Sequence, residues 1–334
     1  MSSDAQPRYS EAAVVGGGVI GVSWTALFLA RGLGVTVADP LPDIADRVRA
    51  GLREIAPTIA KLGLPVHDLT DDTGALKFNA DVTAAVTAAD VVQENGPERA
   101  DVKQQLWAAI ERGAPAHAIF ASSSSSIPAS VMSTAMREPG RLVIGHPFNP
   151  PHLVPLVEIV PSPTSSDAAV RDAVTFYRAM GKQPQVLGRE IPGFVANRLQ
   201  AALFREAVYL VSQGVVTEQE LDAVVTTSIG MRWAVAGPFQ TFHLGGGPGG
   251  LPDFLVHLGP AMAALWPRLG NPTLDAALID QLTEQAGHFE GSVAELATRR
   301  DDAQIRLMRA LEELPGVGPS AREPATARVQ VQAR

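Results

Sequence analysis

The stretch AAVVGGGVIG at residues 12–21 indicates the fold class of this 334-residue chain. It fits the pattern G-x-G-x-x-G, with Gly16, Gly18 and Gly21 at the three required positions. An apolar segment of strand length precedes the glycines, and residues 19–31 follow them with apolar side chains at helical spacing. A glycine turn between a strand and a helix is typical of a Rossmann-type unit that binds a dinucleotide.

The three glycines meet different physical demands at such a turn. Gly16 permits the tight turn, Gly18 lets backbone N–H groups approach a pyrophosphate, and Gly21 lets the helix pack closely on the strand. Val19 and Ile20 fill the variable positions at the start of the helix, where the positive end of the helix dipole favours phosphate. We expect these five residues to bind the cofactor; the alternative is a glycine-rich loop without a ligand.

Asp39 ends the next strand-like segment, GVTVAD at residues 34–39, and lies 18 residues after Gly21. A carboxylate at this point accepts hydrogen bonds from the adenosine ribose hydroxyls and repels a 2′-phosphate. Asp39 therefore predicts NAD rather than NADP as the cofactor. The alternative is a solvated loop residue in front of Pro40.

Further apolar segments of strand length follow through the first half of the chain. They lie at residues 90–93, 118–122, 142–145 and 156–160. Strands that are apolar on both faces and separated by helices indicate a parallel sheet that is covered on both sides. From residue 193 onward, apolar side chains recur at helical spacing instead.

We therefore predict an α/β fold with an N-terminal Rossmann-type, doubly wound sheet and an all-helical C-terminal domain. The predicted bounds are residues 1–191 for the NAD-binding domain and 192–314 for a helical substrate and dimerisation domain. Residues 315–334, rich in Pro, Ala and Arg, are predicted to form a disordered tail. The glycine-rich stretch 245–250 is expected to be a turn or loop between helices.

Charge and composition exclude several classes of protein. The chain has 35 acidic and 27 basic residues, a net charge of −8, which argues against a protein that binds nucleic acid or an anionic membrane. No apolar run reaches the roughly 18 residues that a membrane span needs. The absence of cysteine removes disulfides, thiolate metal sites and a cysteine nucleophile, and it fits a cytoplasmic location. We expect no metal centre.

Three later segments place polar side chains within or directly after apolar strands. ASSSSSI at residues 121–127 follows one strand, and GHPFNPP at residues 145–151 places His146 after another. LVEIV puts Glu158 inside a third. A carboxylate in an apolar strand is costly unless it is paired, and a neutral histidine is a suitable partner and a suitable base for a hydroxyl proton. A structural histidine in a Pro-rich turn and a Glu on a sheet edge remain equally open.

With these motifs the chain resembles the L-3-hydroxyacyl-CoA dehydrogenase superfamily over residues 10–310. The resemblance rests on VVGGGVIG (14–21), ASSSSSI, GHPFNPP, LVEIV and PGFVANRLQ (192–200). The helical half is most similar to the branch that contains lambda-crystallin, L-gulonate 3-dehydrogenase and L-carnitine dehydrogenase. The matching segments there are GFVANRLQ, Glu206-Ala207, GVV (214–216) and GMRWAVAGP (230–238).

The resemblance implies an NAD-dependent oxidoreductase that interconverts a 3-hydroxy acid and its 3-keto acid by hydride transfer. The family's histidine base corresponds to His146, and its carboxylate partner to Glu158, 12 residues later. The active-site serine corresponds to Ser125, 21 residues before His146, with Ser124 as a possible substitute within the serine run. The asparagine of the PGF-x-x-NR motif corresponds to Asn197.

A charged pair of the family corresponds to Glu98 and Lys103, near the nicotinamide ribose. The resemblance also implies a homodimer built by the helical half, although amphipathic helices can equally be buried within one subunit.

Residues 41–78 bear on the choice between a free acid and a CoA thioester. CoA-using relatives carry a lysine-rich helix and loop there, whereas this segment has five positive and six negative side chains. The mixed charge favours a free 3-hydroxy acid, such as a sugar acid or a carnitine-like compound. Arg232, in GMRWAVAGP, is then expected to bind the carboxylate of the substrate. The alternative for Arg232 is a helix end or a subunit contact.

Two other functions stay open. One is an L-3-hydroxyacyl-CoA dehydrogenase acting on 3-hydroxybutyryl-CoA. The other is a non-catalytic protein, either crystallin-like or an NAD-binding regulatory module. The complete set of Ser125, His146, Glu158 and Asn197 argues against a loss of catalysis.

Overall fold

The computed structural model describes residues 9–314, which form two compact units that divide between Phe194 and Val195. The first unit carries one sheet and the second is helical, which confirms the predicted fold class. The predicted domain boundary after residue 191 lies three residues before this division. The predicted tail, residues 315–334, lies outside the described residues.

The first unit contains an eight-stranded sheet in the order β3-β2-β1-β4-β5-β6-β7-β8. The strands are β1 (Glu11–Val15), β2 (Gly34–Ala38), β3 (Leu76–Asn79), β4 (Val91–Glu94), β5 (Ile119–Ser122), β6 (Leu142–Pro147), β7 (Leu156–Pro161) and β8 (Gln183–Val186). Every residue of β4, β5 and β6 is buried. These inner strands are buried because helices cover both faces of the sheet, which explains their apolar sequences.

The helices of the first unit are α1 (Val19–Ala30), α2 (Ile44–Lys61), α3 (His67–Thr70), α4 (Val82–Ala85), α5 (Ala100–Gly113), α6 (Ala129–Met132) and α7 (Asp167–Ala179). Residues 21–30 of α1 are all buried. Trp24 and Phe28 of this helix stack with 5.3 Å between ring centroids, and Tyr177 of α7 packs on Trp24. The helix that follows the glycine turn is therefore anchored in an aromatic core.

The prediction of a parallel sheet is wrong for one pair of strands. β6 and β7 pair antiparallel, and every other pair in the sheet is parallel. The connection between β6 and β7, residues 148–155, contains no helix. It is shorter than the roughly 10–12 residues that a parallel crossover needs, so the chain turns back and the two strands pair in opposite directions.

The apolar runs of the sequence do not predict β3 and β8. Both are short, and both lie at an edge of the sheet. Their sequences, LKFN and QPQV, carry polar residues at partly exposed positions, so neither forms an apolar run. Pro184 within β8 is tolerated because an edge strand does not need every backbone N–H for the sheet.

The second unit consists of α8 (Ala196–Ser212), α9 (Glu218–Thr227), α10 (Ile229–Val235), α11 (Pro238–Gly245), α12 (Gly250–His257), α13 (Gly259–Leu265), α14 (Ala276–Gln285) and α15 (Val293–Glu312). Thr217 with Glu220 and Ser292 with Glu295 form capping boxes that begin α9 and α15. The glycine-rich stretch 245–250 joins α11 to α12 through a short 3-10 turn. Within residues 9–314, no helix is both long and apolar enough to cross a membrane.

Gly145, next to the histidine of β6, packs against Tyr177. A Cβ at this position would lie 2.0 Å from Tyr177 Oη. Tyr177 is fully buried, and its hydroxyl donates a hydrogen bond to Gln93 Oε1 at 2.5 Å. Moving Tyr177 away would break this buried hydrogen bond, so a side chain at residue 145 is unfavourable.

We expect Gly145→Ala to lower the free energy of unfolding by about 1–3 kcal/mol, because the added methyl group displaces a buried ring. Thermal or urea unfolding of the two proteins measures the difference. Gly188→Ala is the matched control, since nothing lies within 4 Å of a Cβ at that position. Equal stability of the two variants would contradict the tight packing at Gly145.

Candidate active site

The glycine turn is closed on one side by protein and open on the other. Gly16 has a φ of +94°, and a Cβ there would lie 2.7 Å from Asn95 O. A Cβ at Gly21 would lie 1.9 Å from Gly16 O, so Gly21 brings α1 against the turn. At Gly18, by contrast, nothing lies within 4 Å of a Cβ, and the neighbouring Val19 is exposed. This open space at a helix N-terminus fits the pyrophosphate of a dinucleotide.

Asp39 joins the glycine turn to the end of β2. Its Oδ2 accepts a hydrogen bond from Gly17 N at 2.9 Å, and its Oδ1 accepts one from Leu41 N at 3.0 Å. A carboxylate has about four acceptor sites, so both oxygens keep capacity for a further donor. Asp39 therefore supports the turn and also presents negative charge where a ribose hydroxyl would lie.

His146 and Glu158 form a buried pair. They lie directly opposite each other in the antiparallel register of β6 and β7. His146 Nδ1 is 2.9 Å from Glu158 Oε2, and the two residues are only 5% and 2% exposed. Because an ionised carboxylate only accepts, Nδ1–H is the donor, and a neutral imidazole then keeps its Nε2 lone pair. This is the arrangement of a general base that is oriented by a carboxylate.

Two aromatic rings pack near the imidazole. The ring of Phe194 lies 5.1 Å from that of His146, and the ring of Phe148 lies 6.4 Å away, edge to face. Phe194 is buried and has a φ of 50°, which is rare for a residue with a side chain. Such a conformation persists only when surrounding packing holds it. The imidazole is therefore held by apolar packing as well as by its carboxylate.

The two candidate serines have different environments. Ser124 is buried, and its hydroxyl lies 2.6 Å from Glu98 Oε1 and 3.0 Å from Ile127 N. Ser125 is exposed, and its hydroxyl has no hydrogen-bond partner among residues 9–314. Of the two, Ser125 offers the hydroxyl that is available to a ligand.

Lys103 lies between two carboxylates. Its Nζ is 2.7 Å from Glu94 Oε1 and 3.4 Å from Glu98 Oε2, and its side chain is only 1% exposed. Glu94 is completely buried and also accepts hydrogen bonds from Ser122 Oγ and Gly96 N. Lys103 therefore lies beneath Glu98, which is the partly exposed member of the group.

Two polar residues at the end of β4, Gln93 and Glu94, are not among the predicted site residues. Gln93 accepts from Tyr177 Oη and donates to Ser123 Oγ at 2.9 Å. Both residues stand in a strand, VVQE at residues 91–94, that is otherwise apolar. A polar side chain inside an apolar strand, the signal that identified the buried glutamate of β7, was present here as well.

The remaining predicted site residues belong to the helical unit. Asn197 lies half-buried in the first turn of α8. Arg232 lies in α10, is exposed, and forms no ion pair with any residue between 9 and 314. In the part of the chain that the structure describes, no three acidic or histidine side chains are grouped closely enough to hold a metal ion.

Comparison with known proteins identifies the family. Residues 11–191 match the NAD-binding domain of 3-hydroxyacyl-CoA dehydrogenases, and residues 193–280 match the C-terminal domain of the same enzymes. The chain belongs to the 3-hydroxyacyl-CoA dehydrogenase family. The predicted family and the predicted cofactor, NAD, are therefore confirmed. Membership makes the protein an NAD-dependent dehydrogenase that oxidises a 3-hydroxy group.

Several relatives cover most of the chain. An L-carnitine dehydrogenase of Streptomyces griseus is 45% identical over 306 residues, which span 91% of this chain and 90% of the relative. A 3-hydroxyacyl-CoA dehydrogenase of Gibberella moniliformis is 43% identical over 253 residues, 75% of this chain and 77% of the relative. The crystal structure of an NAD-dependent 5-formyl-3-hydroxy-2-methylpyridine 4-carboxylic acid 5-dehydrogenase is similar with a TM-score of 0.76. It is 28% identical, and the match covers 92% of this chain and 99% of that one.

The Glu98 carboxyl is held in its charged form. Partial burial alone would raise the pKa of Glu98, but hydrogen bonds from Ser124 and Ser126 and the charge of Lys103 outweigh this effect. Together they lower the pKa from 4.5 to about 2. Glu98 is therefore ionised at neutral pH.

This shift predicts how Glu98 affects stability as the pH changes. Because the pKa is lower in the folded protein, ionised Glu98 stabilises the fold above about pH 4.5, and this contribution is lost as the pH falls towards 2. Melting temperatures of the protein and of Glu98→Gln, measured from pH 7 down to pH 3, should therefore converge at the acid end. Glu54→Gln on the exposed face of α2 is the control and should show a constant difference. A constant difference for Glu98→Gln would show that its charge is not held.

Proposed function

We propose that this protein oxidises a free 3-hydroxy acid with NAD, and that its substrate is L-carnitine. The observation that carries the proposal is the buried pair of His146 and Glu158, with Nδ1 committed to the carboxylate and Nε2 left as a base. The likeness to L-carnitine dehydrogenases at 45% identity over nearly the whole length supports the choice of substrate. An intact base also argues against a non-catalytic, crystallin-like role.

In the proposed reaction His146 Nε2 takes the proton of the 3-hydroxyl group while the C3–H bond breaks and the carbonyl forms. Bound NAD supplies the acceptor for the hydride that leaves C3. Glu158 keeps Nδ1 protonated and stabilises the imidazolium that results from proton transfer. Its burial strengthens this interaction, because little water screens the pair.

Other residues bind and orient. The free hydroxyl of Ser125 and the amide of Asn197 are proposed to hydrogen-bond the oxygen atoms of the substrate. Gly16, Gly18 and the N-terminus of α1 are proposed to receive the pyrophosphate of NAD, and Asp39 the adenosine ribose.

At the nicotinamide end of the site, Glu98 is the group proposed to face the ribose. Lys103 then acts through Glu98, since its ammonium is buried between two carboxylates.

Charges on α2 support a free acid over a CoA thioester. Arg47 forms an ion pair with Asp43 at 2.7 Å, and Arg49 lies over the ring of Phe78 with 5.1 Å to its centroid. Two of the five cations in residues 41–78 are therefore engaged, and the six acidic side chains of the segment offset the others, so its net charge does not favour the phosphates of CoA. Arg232, by contrast, is exposed and has no carboxylate partner within residues 9–314, which suits the single carboxylate of a free acid.

The quaternary ammonium of L-carnitine calls for aromatic faces. The helical unit contains three aromatic residues close in sequence to Arg232. Phe242 is already stacked on Phe254 at 4.6 Å, whereas Trp233 and Phe239 remain exposed. We therefore propose Trp233 and Phe239, rather than Phe242, as the aromatic groups for the ammonium.

The base assignment predicts a non-additive pair of variants. His146→Ala should lower kcat at least about a hundredfold with little change in NAD affinity, because the proton acceptor is lost. Glu158→Gln should also lower kcat, and the double variant should cost much less than the product of the two single losses. Steady-state kinetics and NADH binding by fluorescence measure both quantities. Exposed His67→Ala is the control, and multiplicative losses would mean that the two residues do not act as a unit.

The substrate assignment predicts a preference for L-carnitine over a CoA thioester, and a role for Arg232 in the reaction of L-carnitine. L-Carnitine should be oxidised with a higher kcat/KM than 3-hydroxybutyryl-CoA. Arg232→Met should lower kcat/KM for L-carnitine, and the factor should correspond to a loss of roughly 2–4 kcal/mol in transition-state stabilisation if the charge pair is desolvated. Initial rates of NADH formation measure both effects, with Arg268→Met as a control for loss of an arginine elsewhere in the helical unit. If the thioester is the better substrate and Arg232→Met is silent, the protein is instead a 3-hydroxyacyl-CoA dehydrogenase.

We also propose that the protein is a homodimer formed by the helical unit. Large apolar side chains on its helices are exposed, among them Phe204 of α8, Leu244 of α11 and Leu255 of α12. Exposed apolar surface of this kind marks an interaction site. Sedimentation at micromolar concentration should give the mass of a dimer, and Phe204→Glu should shift it to that of a monomer. A monomer in the unaltered protein would contradict the proposal.

A further inference from the structure

Buried polar contacts hold the connection between the two strands that carry His146 and Glu158. Residues 148–155 join β6, which carries His146, to β7, which carries Glu158. Loops usually run over the surface, whereas residues 151–153 of this connection are buried. The connection is held from two sides, by a helix and by the residue in front of β8.

Ser23 of α1 makes the first contact. Its Oγ accepts a hydrogen bond from His152 N at 2.9 Å and lies 2.8 Å from His152 Nδ1. Both residues are buried. One serine hydroxyl therefore satisfies the backbone and the ring of the same loop residue.

Lys182 makes the second contact. It directly precedes β8, and its side chain is buried. Its Nζ donates to Pro151 O at 2.6 Å and to Val154 O, and it lies 5.6 Å from the centroid of the Trp24 ring. Two carbonyls and an aromatic face thus surround the ammonium.

No carboxylate forms an ion pair with Lys182 among residues 9–314. A buried ammonium without a counterion is costly, so its position calls for a reason beyond packing. An apolar side chain of the same length would fill the space but would leave both carbonyls of the connection unsatisfied.

The two contacts meet on the same helix. Ser23 and Trp24 are neighbours on α1, and the N-terminus of α1 is the open glycine turn. The helix proposed to receive NAD and the loop that joins the two catalytic strands therefore share one buried cluster.

We propose that Ser23 and Lys182 are positioning residues that fix the 148–155 connection on the cofactor helix and thereby align His146 with Glu158. This rests on the proposed function of His146 as the base. Small displacements of a catalytic group lower the rate strongly, because proton and hydride transfer need a near-attack geometry.

The charge of Lys182 adds a direct observable. Burial and the nearby Arg31 lower the pKa of Lys182 from 10.5 to about 7. The groups that face it are the two carbonyls, the Trp24 ring and Arg31. The whole chain contains four lysines, so the protein labelled with 13C at lysine Cε gives four signals, and Lys182→Met identifies one of them. That signal should titrate near pH 7.

The kinetic test compares Ser23→Ala and Lys182→Met with two controls. Lys77→Met removes an exposed lysine of β3, and Ser133→Ala removes a buried serine outside the connection. We expect each test variant to lower kcat for L-carnitine at least about tenfold, with the Kd for NADH changed less than about twofold. The primary deuterium isotope effect on kcat, measured with L-carnitine deuterated at C3, should rise because hydride transfer becomes slower. Lys182→Arg, which keeps the charge, should recover part of the rate.

A second readout does not need turnover. The proton on His146 Nδ1 should give a low-field NMR signal that is absent in His146→Ala. We expect it to move or disappear in Ser23→Ala and Lys182→Met and to stay in place in both controls.

The outcomes separate the two proposals. If unaltered protein does not oxidise L-carnitine, the proposed function fails, and the low-field signal still decides whether Ser23 and Lys182 position the pair. If His146→Ala is slow but folded Ser23→Ala and Lys182→Met keep full activity and an unchanged signal, the positioning role is wrong. Should Lys182→Met fail to fold, Ser23→Ala alone decides in the same way.

Discussion

The antiparallel pairing of β6 with β7 is the constraint on which the candidate site depends. It sets His146 directly opposite Glu158, at a point where both side chains are buried. An ionised carboxylate without a partner at such a position would cost several kcal/mol, and His146 is a partner of Glu158 there. A register shift of one residue would send the two side chains to opposite faces of the sheet. The same strand pairing therefore sets the register, buries the two side chains and orients the proposed base.

Polar residues at the end of β4 support the same edge of the sheet from both faces. Because side chains alternate along a strand, Gln93 and Glu94 point to opposite sides. Gln93 meets Tyr177 in the core under α7, and Glu94 meets Lys103 of α5. Satisfied polar groups in a low-dielectric interior are rigid, and a group left without its partner is costly. The hydrogen bonds of Gln93 and Glu94 therefore make the end of β4, next to the proposed nicotinamide site, rigid.

Much of the fold followed from local patterns. The glycine motif, the apolar strands and the helical spacing after residue 193 predicted the fold class, because each depends on neighbours in sequence. The apolar patterns do not predict the edge strands β3 and β8, since a half-exposed edge does not require an apolar run. The local pattern does not predict the antiparallel direction of β7 for a different reason. An apolar strand looks the same in sequence whether its partner runs parallel or antiparallel, and only the length of the connection distinguishes them.

By itself the sequence determined the family and the cofactor and supplied the candidate site residues, because glycine turns and polar residues in apolar strands are local signals. Only the tertiary structure decided which of those residues are available. It buried Ser124 on Glu98 and left Ser125 exposed, and it enclosed Lys103 between two carboxylates. It also brought Lys182 to a loop about 30 residues earlier in the chain. These outcomes depend on contacts between distant segments, and long-range packing determines exposure and partnership in a way that no local pattern records.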